Sequence, residues 1–351
     1  MKKSKIIFTP GIIAMLAALA FLAACSSFKP ADAPEITLEL TQHDPPDSAT
    51  GRFLEAWAEK VFQASEGRLK INVNHGGALG GPRDTYDLVL NNSVDIGWGM
   101  QSYFPNRFPV TEVMMLPMLG IESAAQGSRA LWDMYENTDL LKKEYRGVHV
   151  LLLHTNCDSP IATRDKAINT LADLRGVNLR TNAGPPTEFV RLFGGNPVSV
   201  VVTELYSSLE RGVIQGTVTD WHAIWSFKFY EQLKNYYDVH ASVSPYFLVI
   251  NQGVYDALPA DLQKILDDCS GAAALDIAGS AWDNVQNEVM DIIRKRGGNI
   301  TALPEADMAQ LEAFARKTWQ NWVAQRTADG YPAREALDAA LEMIAKHKGK
   351  R

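Results

Sequence analysis

Arg180 is the residue of this sequence best placed to do chemistry. It closes residues 177–180, Val-Asn-Leu-Arg, which read as a β-strand, and open α/β sheets bind ligands in the crevice beyond the carboxyl ends of their strands. A guanidinium offers a rigid fork of donors that can hold a carboxylate through two parallel hydrogen bonds. An Arg at a strand end is also compatible with a solvated surface charge. His43 and Asp44 follow the first strand in the same manner, ready to receive a polar or cationic substituent or to form the turn before Pro45 and Pro46. Trp98, Trp221, Trp225, Tyr246 and Phe247 lie at or near strand ends or on an aromatic helical segment, so this set is expected to divide between core and ligand contact.

Other chemistries lack their signals. The seven His residues fall in no H-E-x-x-H spacing and the three Cys in no C-x-x-C pair, so neither a metal nor a cofactor is expected. No G-x-S-x-G elbow is present. Gly76-Gly-Ala-Leu-Gly-Gly81 sits between a strand and a helix, as a phosphate cradle would, but without the P-loop Lys or the full dinucleotide register; a tight turn explains it equally. The neighbouring pairs His43 with Asp44 and His222 with Asp220 leave open an envelope enzyme with acid/base chemistry on small carboxylates.

The frame around these residues is a well-cored chain. It has 351 residues, 46% of them hydrophobic, and a net charge of −7, which excludes a disordered chain and a disulfide-stapled miniprotein. The acidic balance argues against nucleic acid, whose phosphates need clustered Lys and Arg. Residues 1–24 read as a leader: Lys2, Lys3 and Lys5 precede an apolar run too short to span a membrane. It ends in Leu22-Ala-Ala-Cys25, which resembles a bacterial lipobox and implies a diacylated Cys25 followed by a polar tether, residues 25–34. An ordinary secretory signal is the alternative; either places the protein outside the cytoplasm. Cys157 and Cys269 then remain, as one disulfide or two buried thiols.

From residue 35 the pattern alternates period-two and helical stretches, which predicts an α/β fold with parallel strands joined by helical crossovers. Residues 35–155 form a first lobe and 156–246 a second, with a long aromatic helix from about residue 221 to 234. Residues 247–303 return to the first lobe, and 304–351 are helices packing on the lobes.

Several ordered pieces carry a resemblance. They include Leu79-Gly80, Asn92-Ser-Val-Asp-Ile96, Phe108-Pro109, Ile168-Asn-Thr-Leu-Ala-Asp-Leu-Arg-Gly-Val-Asn-Leu-Arg180, Gly195-Asn-Pro-Val198, residues 204–216 and Leu258-Pro-Ala-Asp-Leu-Gln263. Along nearly all of its length beyond the leader, the chain resembles the DctP family, the extracytoplasmic solute-binding subunits of TRAP transporters. The resemblance implies a periplasmic-binding-protein-like fold, with two α/β lobes, a cleft, crossing strands and a long lobe-spanning helix, and a non-catalytic capture function. It implies Arg180 as the partner of the cargo's carboxylate, and His43, Trp98, Met100, Thr219, Asp220 and Trp221 as pocket-lining positions. The implied partners are a small carboxylate, the membrane permease subunits and, through Cys25, a membrane surface. Two departures accompany it: Pro160 stands where sialic-acid-type members carry a second Arg, and Gln215-Gly216 replaces the common Asp-Gly. The aromatic set favours a monocarboxylate with an apolar or aromatic body, an amino or oxo acid included.

Overall fold

The computed structural model describes residues 36–349; the leader, the tether and Cys25 lie outside the described residues.

The first sheet is built from β1 (Ile36–Thr41), β2 (Leu69–Asn74), β3 (Ile96–Met100), β4 (Val148–Thr155) and β10 (Pro245–Asn251), in the order β2-β1-β3-β10-β4. Between its strands lie α1 (Ala49–Ala64), α2 (Thr85–Leu90) and α3 (Ala124–Asn137). The Ser48 hydroxyl caps α1 by accepting the Gly51 N–H at 2.9 Å, and Phe53, Leu54, Trp57 and Val61 bury one face of it. Gly51 is required here, because a Cβ would stand 2.3 Å from the Pro46 carbonyl oxygen. The Gly-rich stretch is a turn: Gly76 and Gly77 have φ of +66° and +73°, and their N–H groups donate to the Asp44 and Gln42 carbonyls, which leaves neither for a phosphate.

The second sheet has the order β11-β9-β5-β8-β6-β7, from β5 (Ile161–Thr163), β6 (Asn178–Arg180), β7 (Asn196–Val198), β8 (Gly216–Val218), β9 (Asn235–Tyr237) and β11 (Asn299–Thr301). Its helices are α4 (Pro185–Leu192), α5 (Val202–Glu210) and α6 (Trp221–Ser226). Gly216 occupies the position where a Cβ would meet the Ala162 oxygen at 2.5 Å and Leu179 at 2.8 Å, so β8 fits between its neighbours only as glycine. The fold is thus a two-lobe α/β architecture, but its sheets are mixed: β10 runs antiparallel to β3 and β4, and β5 antiparallel to β8 and β9. The expected parallel pairing holds for β1 with β3, β6 with β7 and β8, and β9 with β11, but not for β5 and β10, which enter through direct crossings between the sheets and not through helical crossovers.

The long aromatic helix expected from about residue 221 is also corrected. Helix α6 stops at Ser226, Lys228 takes a left-handed φ of +57°, and a 3-10 turn, Phe229–Glu231, leads into β9. Aromatic residues are weak helix formers and here bury as turn and strand. The helix that touches both sheets comes later. After α7 (Gln252–Ala257) and α8 (Ala260–Cys269), α9 (Ala272–Lys295) starts where Gly271 N–H donates to Leu151 O of β4 and delivers the chain to β11. It packs on α1, α3 and α6. Gly279 sits so close to α3 that a Cβ would meet Ala125 Cα at 2.7 Å, and the Asp283 carboxylate accepts the Ala124 and Ala125 N–H groups at 2.6 and 3.0 Å, capping α3 from outside. Finally α10 (Glu305–Ala328) packs on α4, and α11 (Ala333–Lys346) on α3. Cys157 and Cys269 are both buried free thiols, not a disulfide. Among the described residues no helix is long and apolar enough to cross a membrane.

Candidate functional site

Strand direction brings the expected residues to one place. β1 and β3 are parallel, with Thr41 opposite Gly97, so His43, Asp44 and the end of β3 leave the first sheet at one edge. β6 and β8 are parallel, with Arg180 opposite Thr217, so Arg180 and Thr219-Asp220-Trp221 leave the second sheet together. Ile161, the first residue of β5, lies opposite Val218, and residues 156–160 join it to the end of β4. The carboxyl edges of both sheets therefore meet at the crossing segments.

That edge is sealed. Arg180 is 1% exposed, and His43, Asp44, Trp98, Met100, Thr219, Asp220 and Trp221 are all buried. The open grooves of about 540 Å³ beside α9 and about 710 Å³ beside Tyr331 are lined by none of them. Arg180 Nε donates to the Val200 carbonyl at 3.0 Å, while Nη2 is buried with no hydrogen-bond partner. Among the described residues, no carboxylate pairs with this guanidinium. The Tyr103 hydroxyl, which accepts the Val202 N–H at 3.0 Å, stands beside it; burial pushes the Tyr103 pKa up, and the nearby Arg180 charge opposes that.

The first sheet supplies the opposing wall. The His43 ring packs 5.2 Å from Trp98 and 5.6 Å from Tyr103, and its Nδ1 has no partner. Burial lowers the His43 pKa against the pull of Asp44, which keeps the ring neutral. Trp98 stacks on Tyr246 at 4.7 Å and donates its indole N–H to His154 Nε2 at 2.9 Å. Met100 lies opposite Tyr246 in the ladder, on the same face. Trp221 stacks on Tyr236 at 5.7 Å, and its indole N–H has no acceptor.

Asp44 and Asp220 are both already occupied. Asp44 Oδ2 accepts the Thr50 hydroxyl at 2.5 Å. Asp220 accepts the Ala223 N–H at 2.9 Å, capping α6, and the Asn156 amide at 3.0 Å; burial raises its pKa against the His222 charge. His222 Nε2 accepts the Ala49 N–H at 3.0 Å, so this pair works in structure rather than as a poised base. The groups left over are a fixed cation, an indole N–H and an imidazole nitrogen beside aromatic faces. Together they can offer charge-assisted hydrogen bonds to an anion beside apolar surface.

Two aromatic candidates lie elsewhere. Phe247 points to the opposite face of β10, against Tyr86, Phe104 and Phe108 at 5.1, 5.7 and 5.9 Å. Gly99 makes room for it, since a Cβ there would stand 2.8 Å from the ring; strand alternation separates Phe247 from Tyr246. Trp225 stacks on Tyr230 at 4.9 Å and lines the open groove beside α9. Sequence reasoning missed Tyr103, His154 and Asn156. Tyr103 had a signal, since it lies three residues past the end of β3 at the same edge.

The comparisons agree with this architecture. The model of the family described as "Bacterial extracellular solute-binding protein, family 7" (DctP) matches residues 40–326. The chain is 26% identical over 229 residues to the 2,3-diketo-L-gulonate-binding periplasmic protein YiaO of Escherichia coli (strain K12), across 65% of this chain and 68% of that one. A solved TRAP solute binding protein from a marine metagenome, specific for aromatic acid ligands and in complex with 3-hydroxybenzoate, superposes with a TM-score of 0.86 at 26% identity, over 90% of this chain and all of that one. A TRAP solute binding protein from Rhodoferax ferrireducens T118 in complex with copurified benzoate gives 0.84 at 28% identity, over 89% and 98%. These neighbours are solute-binding proteins, not enzymes. With two lobes meeting over a buried guanidinium and the family match running through nearly all of both, this chain belongs to the DctP family of bacterial extracellular solute-binding proteins.

Proposed function

We propose that this protein is the solute-binding subunit of a TRAP transporter, capturing a small monocarboxylate with an apolar or aromatic body, an amino or oxo acid included, and delivering it to membrane permease subunits. The observation that carries the reading is Arg180, a buried guanidinium oriented by Val200 and left with an unpartnered Nη2. A carboxylate there gains charge-assisted bonds in a water-excluded site, and Trp98, Tyr246 and Met100 offer its body an apolar face. Two relatives named for aromatic-acid and benzoate binding support the class. Residues 35–155 with β10 serve as one lobe and residues 156–244 with β11 as the other, and the crossing segments as the hinge; cargo stabilises the closed form through contacts to both. Cys25, as a diacylated first residue, ties the protein to a membrane surface outside the cytoplasm.

Calorimetry and melting curves with benzoate, 3-hydroxybenzoate, mandelate and pyroglutamate test the class. At least one aromatic acid should bind stoichiometrically and raise Tm by mass action. Binding of sugar acids alone would overturn the aromatic reading, and equal binding by Arg180→Ala would overturn the anchor. Palmitate labelling that survives Cys25→Ser would overturn the lipid assignment.

A further inference from the structure

We propose that Asp158, Asp238 and His240 form a divalent metal site of the zinc class on the segments that cross between the two sheets. Asp158 lies on the passage from β4 to β5, and Asp238 and His240 on the passage from β9 to β10. One ligand atom from each falls within 4.8 Å of the others, close enough for small side-chain rotations to bring all three to bonding distance of one ion.

Two independent features point to a ligand. Asp158 is 1% exposed, yet its Oδ1 has no partner; Oδ2 forms an ion pair with His240 Nδ1 at 2.6 Å, which holds the His240 pKa up at about 9, so an ion binding here displaces that proton. A buried carboxylate oxygen left without a partner is costly. Asp158 and His240, though not Asp238, also border a hollow of about 10 Å³ whose other walls are mainly apolar, Met114, Leu116, Met118 and Ile121 among them, roughly the room needed for one water-sized sphere. Two carboxylates and an imidazole suit Zn²⁺ with open positions for water, whereas Ca²⁺ and Mg²⁺ prefer all-oxygen shells. Asp158 stands eighty residues before Asp238 along the chain, so no local spacing motif exists to announce the set. An ion here would join the two crossing segments, a role separate from the cargo at Arg180.

The test is calorimetry and native mass spectrometry of Zn²⁺ added alone to metal-stripped, full-length protein carrying Cys25→Ser, which removes a competing thiol. One equivalent should bind at micromolar concentration. His240→Gln and Asp238→Asn, at less buried positions, should each weaken it on the order of 100-fold with circular dichroism unchanged, since even an outer-shell partner is worth about 10–100-fold. Co²⁺ should give the visible absorption of a low-coordinate N/O site, absent in both variants. Absence of stoichiometric Zn²⁺ at 100-fold excess, or binding that both variants retain, would overturn the site.

Discussion

Arg180 donates through Nε to the carbonyl of Val200 at 3.0 Å, so the guanidinium plane is set by a nitrogen that a carboxylate gripping the far end of the fork does not need. The price of this readiness is a buried cation whose Nη2 has no protein acceptor, a state that opposes folding until an anion arrives. Arg180→Met should therefore leave the melting temperature of the ligand-free protein unchanged or raised. Affinity for a bound aromatic acid should fall by about 3 kcal/mol or more, roughly 100-fold or beyond. A large loss of ligand-free stability would show that the arginine is structural.

Tyr103 joins the sheets by accepting the backbone N–H of Val202 at 3.0 Å. Tyr103→Phe leaves that buried N–H unpaired, at a cost of about 1–3 kcal/mol in the closed form. Cargo affinity should weaken by a similar amount, while small-angle scattering of the ligand-free protein shifts toward a larger radius. Unchanged affinity would place the bond outside the closure.

His154 accepts the Trp98 indole N–H at 2.9 Å, which requires a neutral ring, and burial holds its pKa down at about 4. The unfolded chain takes up this proton near pH 6.5. The stability it contributes is thus complete above that pH and is lost as pH falls toward 4, with a ceiling of about 3 kcal/mol. His154→Gln, which does not titrate, should flatten that part of the curve of Tm against pH. An identical slope in the variant would assign the acid sensitivity elsewhere.

Gly279 lets α9 lie against α3, where an added Cβ would meet Ala125 Cα at 2.7 Å. Gly279→Leu should destabilise by about 2 kcal/mol or more in urea unfolding, through overpacking. A loss below ~0.5 kcal/mol would mean that the helices separate freely.

The legible parts of the sequence were those with local patterns. Phe53, Leu54, Trp57 and Val61 announce α1 by their spacing, and Arg180 stands out because a strand ends on it. The strands β5, β8, β9 and β11 have three residues each, too few to show an alternation, so the mixed order of the second sheet was hidden. Phe247 and Tyr246 are adjacent in sequence but belong to opposite faces, and only the register against β3 says which meets Trp98. His154 was opaque for another reason, as its role depends on an indole 56 positions away.

Asn156 and Ser244 tie the two extended passages together, through the Asn156 N–H to Ser244 O at 3.3 Å and the Ser244 N–H to Asn156 Oδ1 at 2.7 Å. The third passage is α9. Two short ribbons riveted side by side allow little beyond rotation about one axis, and a helix of about 36 Å, clamped at its start, must flex like a leaf spring whenever that rotation occurs. Under the proposed function, the bend of this one rod is where cargo occupancy would register at a distance from the cargo itself.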